Sequence, residues 1–158
     1  MKGYRIFWGA IFIAAALLSF ACAPQAAGMQ DGYYMAEAAA FDLHGWKEFV
    51  AIYVSNNKII TVEYNAKNAS GFIKSWDTEY MRVMNQSDGN YPNKYTRHYS
   101  ARLLEMQDPG NIYAVSGATH SHASFQLLAK AAIAQAQAGD KQVAFVDLSG
   151  AATQKSKG

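Results

Sequence analysis

The sequence predicts one small α+β domain, an antiparallel meander sheet packed by two or three helices, behind a leader of different character. Three observations carry that prediction. Strand-like alternation dominates the stretch after residue 30, helical periodicity follows it, and a short apolar strand returns near the end. Strands first, helices between and a strand last is the order of an α+β domain rather than of regular alternation. With 158 residues there is room for one such core and a leader.

The leader spans residues 1–22. Lys2 and Arg5 are its only charges, and an apolar run from Ile6 to Phe20 follows without an acidic residue, the order of a secretory signal. A retained membrane anchor is the competing reading, since about 20 apolar residues can cross a bilayer. Small residues crowd the end of the run, and Cys22, the only cysteine of the chain, sits there. Its place suggests lipidation, although Ser19 stands three positions before it where lipoproteins usually carry an aliphatic residue. Residues 23–30 are uncharged and rich in Ala, Gln and Gly, as a short tether would be.

The domain is expected over residues 31–149. Tyr33 to Phe41 has weak strand character. Lys47 to Ser55 is clearer, with Phe49, Ala51 and Tyr53 on one face and Val50, Ile52 and Val54 on the other. Two apolar faces predict a central strand. Asn56-Asn57 suits a two-residue hairpin turn because Asn tolerates positive φ, and Lys58 to Tyr64 forms the returning strand. Thr78 to Asn85 reads as a helix. Pro92 to Gln107 reads as a better one, with Tyr95, Tyr99, Leu103 and Met106 on one face, stopped by Asp108-Pro109-Gly110. The last helix runs from about Thr119 to Ala138, lined by Phe125, Leu128, Ala129, Ala132 and Ile133 and closed by Gly139. Val143 to Leu148 is the final strand, and residues 150–158 read as a disordered tail.

Ser116-Gly117-Ala118-Thr119 stands immediately before that last helix. A helix start offers free N–H groups and partial positive charge, which favour an anion such as phosphate. Gly117 and Ala118 let the backbone approach closely. Ser116, Thr119 and Ser121 add hydroxyls that could cap the helix or reach an anion, and the tetrapeptide alone fits either use.

Several short motifs occur in one order: Asp31-Gly32-Tyr33-Tyr34, Gly45-Trp46-Lys47, Asn57-Lys58-Ile59, Gly71-Phe72-Ile73-Lys74-Ser75, Tyr91-Pro92, and Ala114-Val115-Ser116-Gly117-Ala118-Thr119 with Ser121. In that order they resemble the FMN-binding domain family, which includes flavin-carrying subunits of sodium-pumping NADH:quinone reductase and Rnf-type complexes, and small lipoproteins. The resemblance implies FMN held at Ser116, Gly117, Ala118, Thr119 and Ser121, with Lys74 and Ser75 contributing. It implies Thr119 as the residue a flavin transferase would esterify to the FMN phosphate. Tyr113 stands where the family's flavinylation pattern has aspartate, and His122 where a small residue is usual, so covalent and non-covalent FMN both stay open. The expected role is extracytoplasmic electron transfer between membrane redox partners, on a membrane reached through a lipid anchor. The alternative is a lipoprotein of the same fold that binds a ligand or partner without redox work.

Other functions fit the residues less well. The 14 basic and 12 acidic residues become 12 against 12 once Lys2 and Arg5 are set aside, which is no nucleic-acid footprint. His120 and His122 diverge on a helix and have no nearby acidic or cysteine partner, so no metal site is expected. Ser-Gly-Ala-Thr is not a nucleophile elbow. Asp31, Asp42 and Asp77 read as turn and cap residues.

Overall fold

The computed structural model describes residues 28–153. The signal segment, Cys22, most of the expected tether and residues 154–158 lie outside the described residues. Four strands, β1 (Gly32–Ala38), β2 (Lys47–Ser55), β3 (Lys58–Lys67) and β4 (Ala144–Val146), form one sheet in the order β3-β2-β1-β4. Three helices, α1 (Thr78–Asp88), α2 (Pro92–Met106) and α3 (Thr119–Ala138), lie between β3 and β4 in sequence.

The meander is β1-β2-β3, antiparallel throughout. Its hairpin turn is made by Asn56 and Asn57, both at positive φ (52° and 60°), the backbone a two-residue turn between right-twisted strands requires. Asp31 fixes the turn, its Oδ1 accepting the Asn56 N–H at 2.8 Å. The fourth strand adds to the meander and makes the sheet a mixed one. β4 pairs with β1 in parallel, Ala36 opposite Ala144 and Ala38 opposite Val146. The chain reaches it through α3, a connection long enough to return to the same end of the sheet. β1 is therefore interior, beside β2, although its sequence reads as the weaker strand.

α2 packs over β3, and α3 over β1 and β2, on one face of the sheet. Between them lies the core, where Tyr34, Val50, Ile52 and Tyr64 meet Tyr99, Leu103, Phe125 and Leu128. Small Ala129, Ala132 and Ala136 on α3, all fully buried, let the helix axis come close to the strands. Met106 departs from the expected helix face and is exposed. The end of α2 is held instead by Gln107, whose amide spans the Ile59 backbone, accepting its N–H at 2.8 Å and donating to its carbonyl at 2.9 Å.

The opposite sheet face carries the other set of β2 residues. Tyr33 stacks on Tyr53 at 4.4 Å. Glu37, whose side chain is 9 % exposed, binds Lys47 at 2.8 Å and Lys67 at 2.6 Å. Burial opposes its ionisation, but the hydrogen bonds and charges of the two lysines outweigh it and hold the carboxyl below its ordinary value.

The entry to the domain is fixed at the C-terminal end of α3 and at the hairpin turn. The Gln30 N–H donates to the Ala136 carbonyl at its C-terminal end, and the Met29 N–H donates to Asn57 in the hairpin turn. After β4 the chain does not fray at Gly150 as expected. A 3₁₀ turn, Ser149–Thr153, follows with Ala151 buried, so any tail begins later. Among the described residues, no helix is long and apolar enough to cross a membrane.

Candidate functional site

The segment before α3 is held from below by two buried side chains. Tyr99, on α2, accepts the Val115 N–H at 3.0 Å and donates to the Ala118 carbonyl at 3.2 Å. Asn90 donates to the Ser116 carbonyl at 2.9 Å. Between those anchors the chain reverses through Gly117 at φ 77°, a backbone that favours glycine. α3 then starts from Ala118 with no side chain capping it. The hydroxyls of Ser116, Thr119 and Ser121 are thus not spent as caps, and the first-turn N–H groups keep the partial positive charge of a helix start. His122 is used structurally, its Nε2 lying 2.6 Å from the Ile112 carbonyl, and Gln126 donates to the Pro109 carbonyl at 2.9 Å. Both tie the preceding loop to α3.

This helix start opens on a cavity of about 570 Å³, within the range of roughly 300–1,000 Å³ that small-ligand sites occupy. Gly117, Ala118, His120, Ser121 and Ser124 form one side of it. Trp46 and Glu48 at the start of β2, Lys74, Tyr80 of α1 and Tyr95 of α2 form the other, and the loops at Phe41–His44 and Asp147–Ser149 border it. Two aspartates position these walls. Asp42 Oδ1 accepts the N–H groups of His44 and Trp46, both at 2.8 Å. Asp77 caps α1 by accepting the Tyr80 N–H at 2.9 Å. The ammonium of Lys74, a residue 9 % exposed, lies against two neighbouring aromatic rings, its Nζ 5.6 Å from the Trp46 ring and 5.0 Å from that of Tyr80.

The structure therefore brings Gly117, Ala118, Ser121 and Lys74 to one cavity. Ser116 and Thr119 are exposed beside it, Thr119 standing between two lining residues, Ala118 and His120. Ser75 lies apart. It is buried against β3, its Oγ accepting from Asn65 Nδ2 at 2.8 Å, and it packs rather than lines.

Sequence reasoning missed Glu48 and Ser124. Glu48 falls in period with Val50, Ile52 and Val54, so a carboxyl on the apolar face of β2 was the available signal. Its Oε1 lies 3.0 Å from Tyr64 Oη, which is also 2.9 Å from the Ser121 carbonyl. Burial pushes the Glu48 carboxyl up, against smaller opposing effects of Ser124, Lys74, Tyr64 and His120. The Ser124 Oγ is buried beside that carboxyl without a well-formed hydrogen bond to it. Such an atom is costly in a native interior unless something else satisfies it. An uncapped helix start and aromatic walls together can hold an anion at one end of a ligand and a flat ring at the other.

No family model matches the chain. Over 134 residues it is 34 % identical to the 15 kDa lipoprotein of Treponema pallidum (strain Nichols), a match covering 85 % of this chain and 94 % of that protein. The chain belongs to the family of that 15 kDa lipoprotein. A crystal structure of a protein from Clostridium perfringens is 32 % identical, with a TM-score of 0.72 over 75 % of this chain and 98 % of the other. That structure shares this fold over three quarters of the chain. A solution structure from Clostridium thermocellum is 28 % identical with a TM-score of 0.42, covering 73 % of this chain and 95 % of that one.

Proposed function

We propose that this protein is an extracytoplasmic lipoprotein, anchored through Cys22, that carries FMN in the cavity at the start of α3 and passes electrons between membrane redox partners. The observation that carries the reading is the uncapped start of α3, behind a glycine turn, on a cavity walled by Trp46, Tyr80 and Tyr95. Phosphate is the anion such a start favours, and aromatic walls favour a flat heterocycle. The membership in a lipoprotein family supports the anchor.

FMN, when bound, supplies reversible electron acceptance, and the chain supplies position and surroundings. The first-turn N–H groups and the Ser121 hydroxyl would hold the phosphate. Tyr99 and Asn90 keep the turn in shape, and Trp46, Tyr80 and Tyr95 exclude water from the ring. Thr119, exposed at the rim, is the hydroxyl a flavin transferase would reach, and an ester there would leave the cavity lining intact. A second reading, a ligand-binding lipoprotein without redox work, is favoured by Tyr113, which is exposed where the flavinylation pattern has aspartate.

Co-expression of the domain with a flavin transferase tests the proposal. Flavin fluorescence that survives denaturation, with a mass increase of one FMN less water, and that is lost in Thr119→Ala is the expected result. A colourless protein that takes up no flavin, covalently or otherwise, overturns the flavin reading in favour of the second.

A further inference from the structure

Tyr64 Oη has two close oxygen neighbours, Glu48 Oε1 at 3.0 Å and the Ser121 carbonyl at 2.9 Å. A carbonyl only accepts, and so does a carboxylate. The phenol has one hydrogen to give. Its own ionisation offers no way out, because burial and then the neighbouring Glu48 push the Tyr64 phenol far up. With Glu48 ionised, one of the two contacts must share or lack a hydrogen. With Glu48 protonated, both are ordinary bonds in a chain, Glu48 donating to Tyr64 and Tyr64 to the Ser121 carbonyl.

We propose that Glu48 is a neutral carboxylic acid in the protein at neutral pH, bonded to Tyr64, and that with Ser124 it forms a hydrogen-bond-donating floor to the cavity. The surroundings fit. Glu48 makes no ion pair within 4.0 Å among the described residues. Lys74, from the 3₁₀ turn after β3, has its ammonium over Trp46 and Tyr80. His120 of α3 and Tyr95 of α2 face the same carboxyl, and Asp42, His44 and Asp147 border the cavity at its loops. The Ser124 hydroxyl, buried beside the Glu48 carboxyl without a well-formed hydrogen bond, lines the same floor.

The consequence concerns which ligands the cavity takes. A carboxylate near the first turn of α3 would repel an anion bound there, whereas a carboxylic acid does not. The acid also selects a ligand whose buried part carries acceptor atoms. This deepens, and for its ligand rests on, the FMN reading, since FMN joins an anionic tail to an acceptor-rich ring. The protonation itself does not depend on any ligand.

Two measurements on the whole domain separate the claims. In the ligand-free wild type, the glutamate side-chain carbons are assigned through bonds and titrated by ¹³C NMR. Glu48 is expected to hold the carboxylic-acid shift at pH 7, where an ordinary glutamate, with a pKa of about 4.3, is ionised. The folded state then binds the extra proton. Wild-type stability relative to Glu48→Gln should therefore fall as pH rises from that ordinary value to the raised one, by up to tenfold in the unfolding equilibrium per pH unit. FMN affinity should weaken above the Glu48 pKa in the wild type, by up to tenfold per pH unit, and be flat in Glu48→Gln. A carboxylate shift at pH 7 overturns the proposal. FMN affinity with the same pH profile in both proteins overturns the part of the proposal in which Glu48 acts on the ligand. A protonated Glu48 in a protein that binds no FMN upholds the acid and overturns only the flavin.

Discussion

Replacing Tyr99 by Phe isolates one hydroxyl. The ring of Tyr99 is fully buried and stacks on Phe125 at 5.2 Å with 16° between planes, contacts a phenylalanine keeps. The oxygen alone accepts the Val115 N–H and donates to the Ala118 carbonyl, so it closes the segment that contains Ser116 and Gly117. Without it, the Ala118 carbonyl still receives the His122 N–H at 2.9 Å, but the Val115 N–H loses its acceptor. A buried donor left unmade costs about 1–3 kcal/mol, and Val115 is half-buried, which places the loss near 2 kcal/mol. For a domain of this size that is a fall in Tm of about 6–10 °C. Denaturant unfolding should show a lower midpoint with an unchanged slope, and amide exchange should quicken at Val115 before it does in the core. An unaltered midpoint together with unaltered Val115 exchange would refute the view that this hydroxyl holds the turn.

Glu37→Gln should cost about 2 kcal/mol at pH 7, less than a fully buried pair because Lys47 and Lys67 keep some water contact. Because the folded pKa of Glu37 is lowered, its stabilisation is complete above the ordinary glutamate range and is lost as pH falls through the folded value. Wild type and Glu37→Gln should therefore converge in midpoint on acidification, and parallel curves would count against the ion-pair account. Phe125→Ala removes the ring that packs against both Tyr64, at 5.1 Å, and Tyr99. A loss of about 3–5 kcal/mol is expected, a large part of a domain's total stability, and near-UV circular dichroism should show it as lost aromatic order.

Much of the fold was legible because its signals are local. The Asn56-Asn57 turn, the Gly139 end of α3 and the apolar faces of α2 and α3 each depend on neighbours a few residues away. The parallel pairing of β4 was not legible, because it is decided by where α3 sets the chain down. The candidate site divides in the same way. Gly117 and the helix start could be read as a local pattern, whereas the cavity is assembled from β2, Lys74, α1, α2 and two loops. Ser75, adjacent to Lys74, shows the limit: one residue along a 3₁₀ turn separates a side chain on the cavity from one bonded to Asn65. Glu48 could have been suspected from its strand period, but Tyr64, its partner, stands 16 residues away.

The bond from Gln30 to Ala136 puts the entry of the chain at the C-terminal end of α3, and the cavity lies at the other end of the same helix. Twenty residues of helix separate the two, about 30 Å. Cys22 and Gly28 are six residues apart, a contour of at most about 21 Å. A domain held at Cys22 cannot turn end over end on so short a leash. With the proposed anchor at Cys22, the mouth would open away from the anchor, toward the parts of membrane partners that stand out into water.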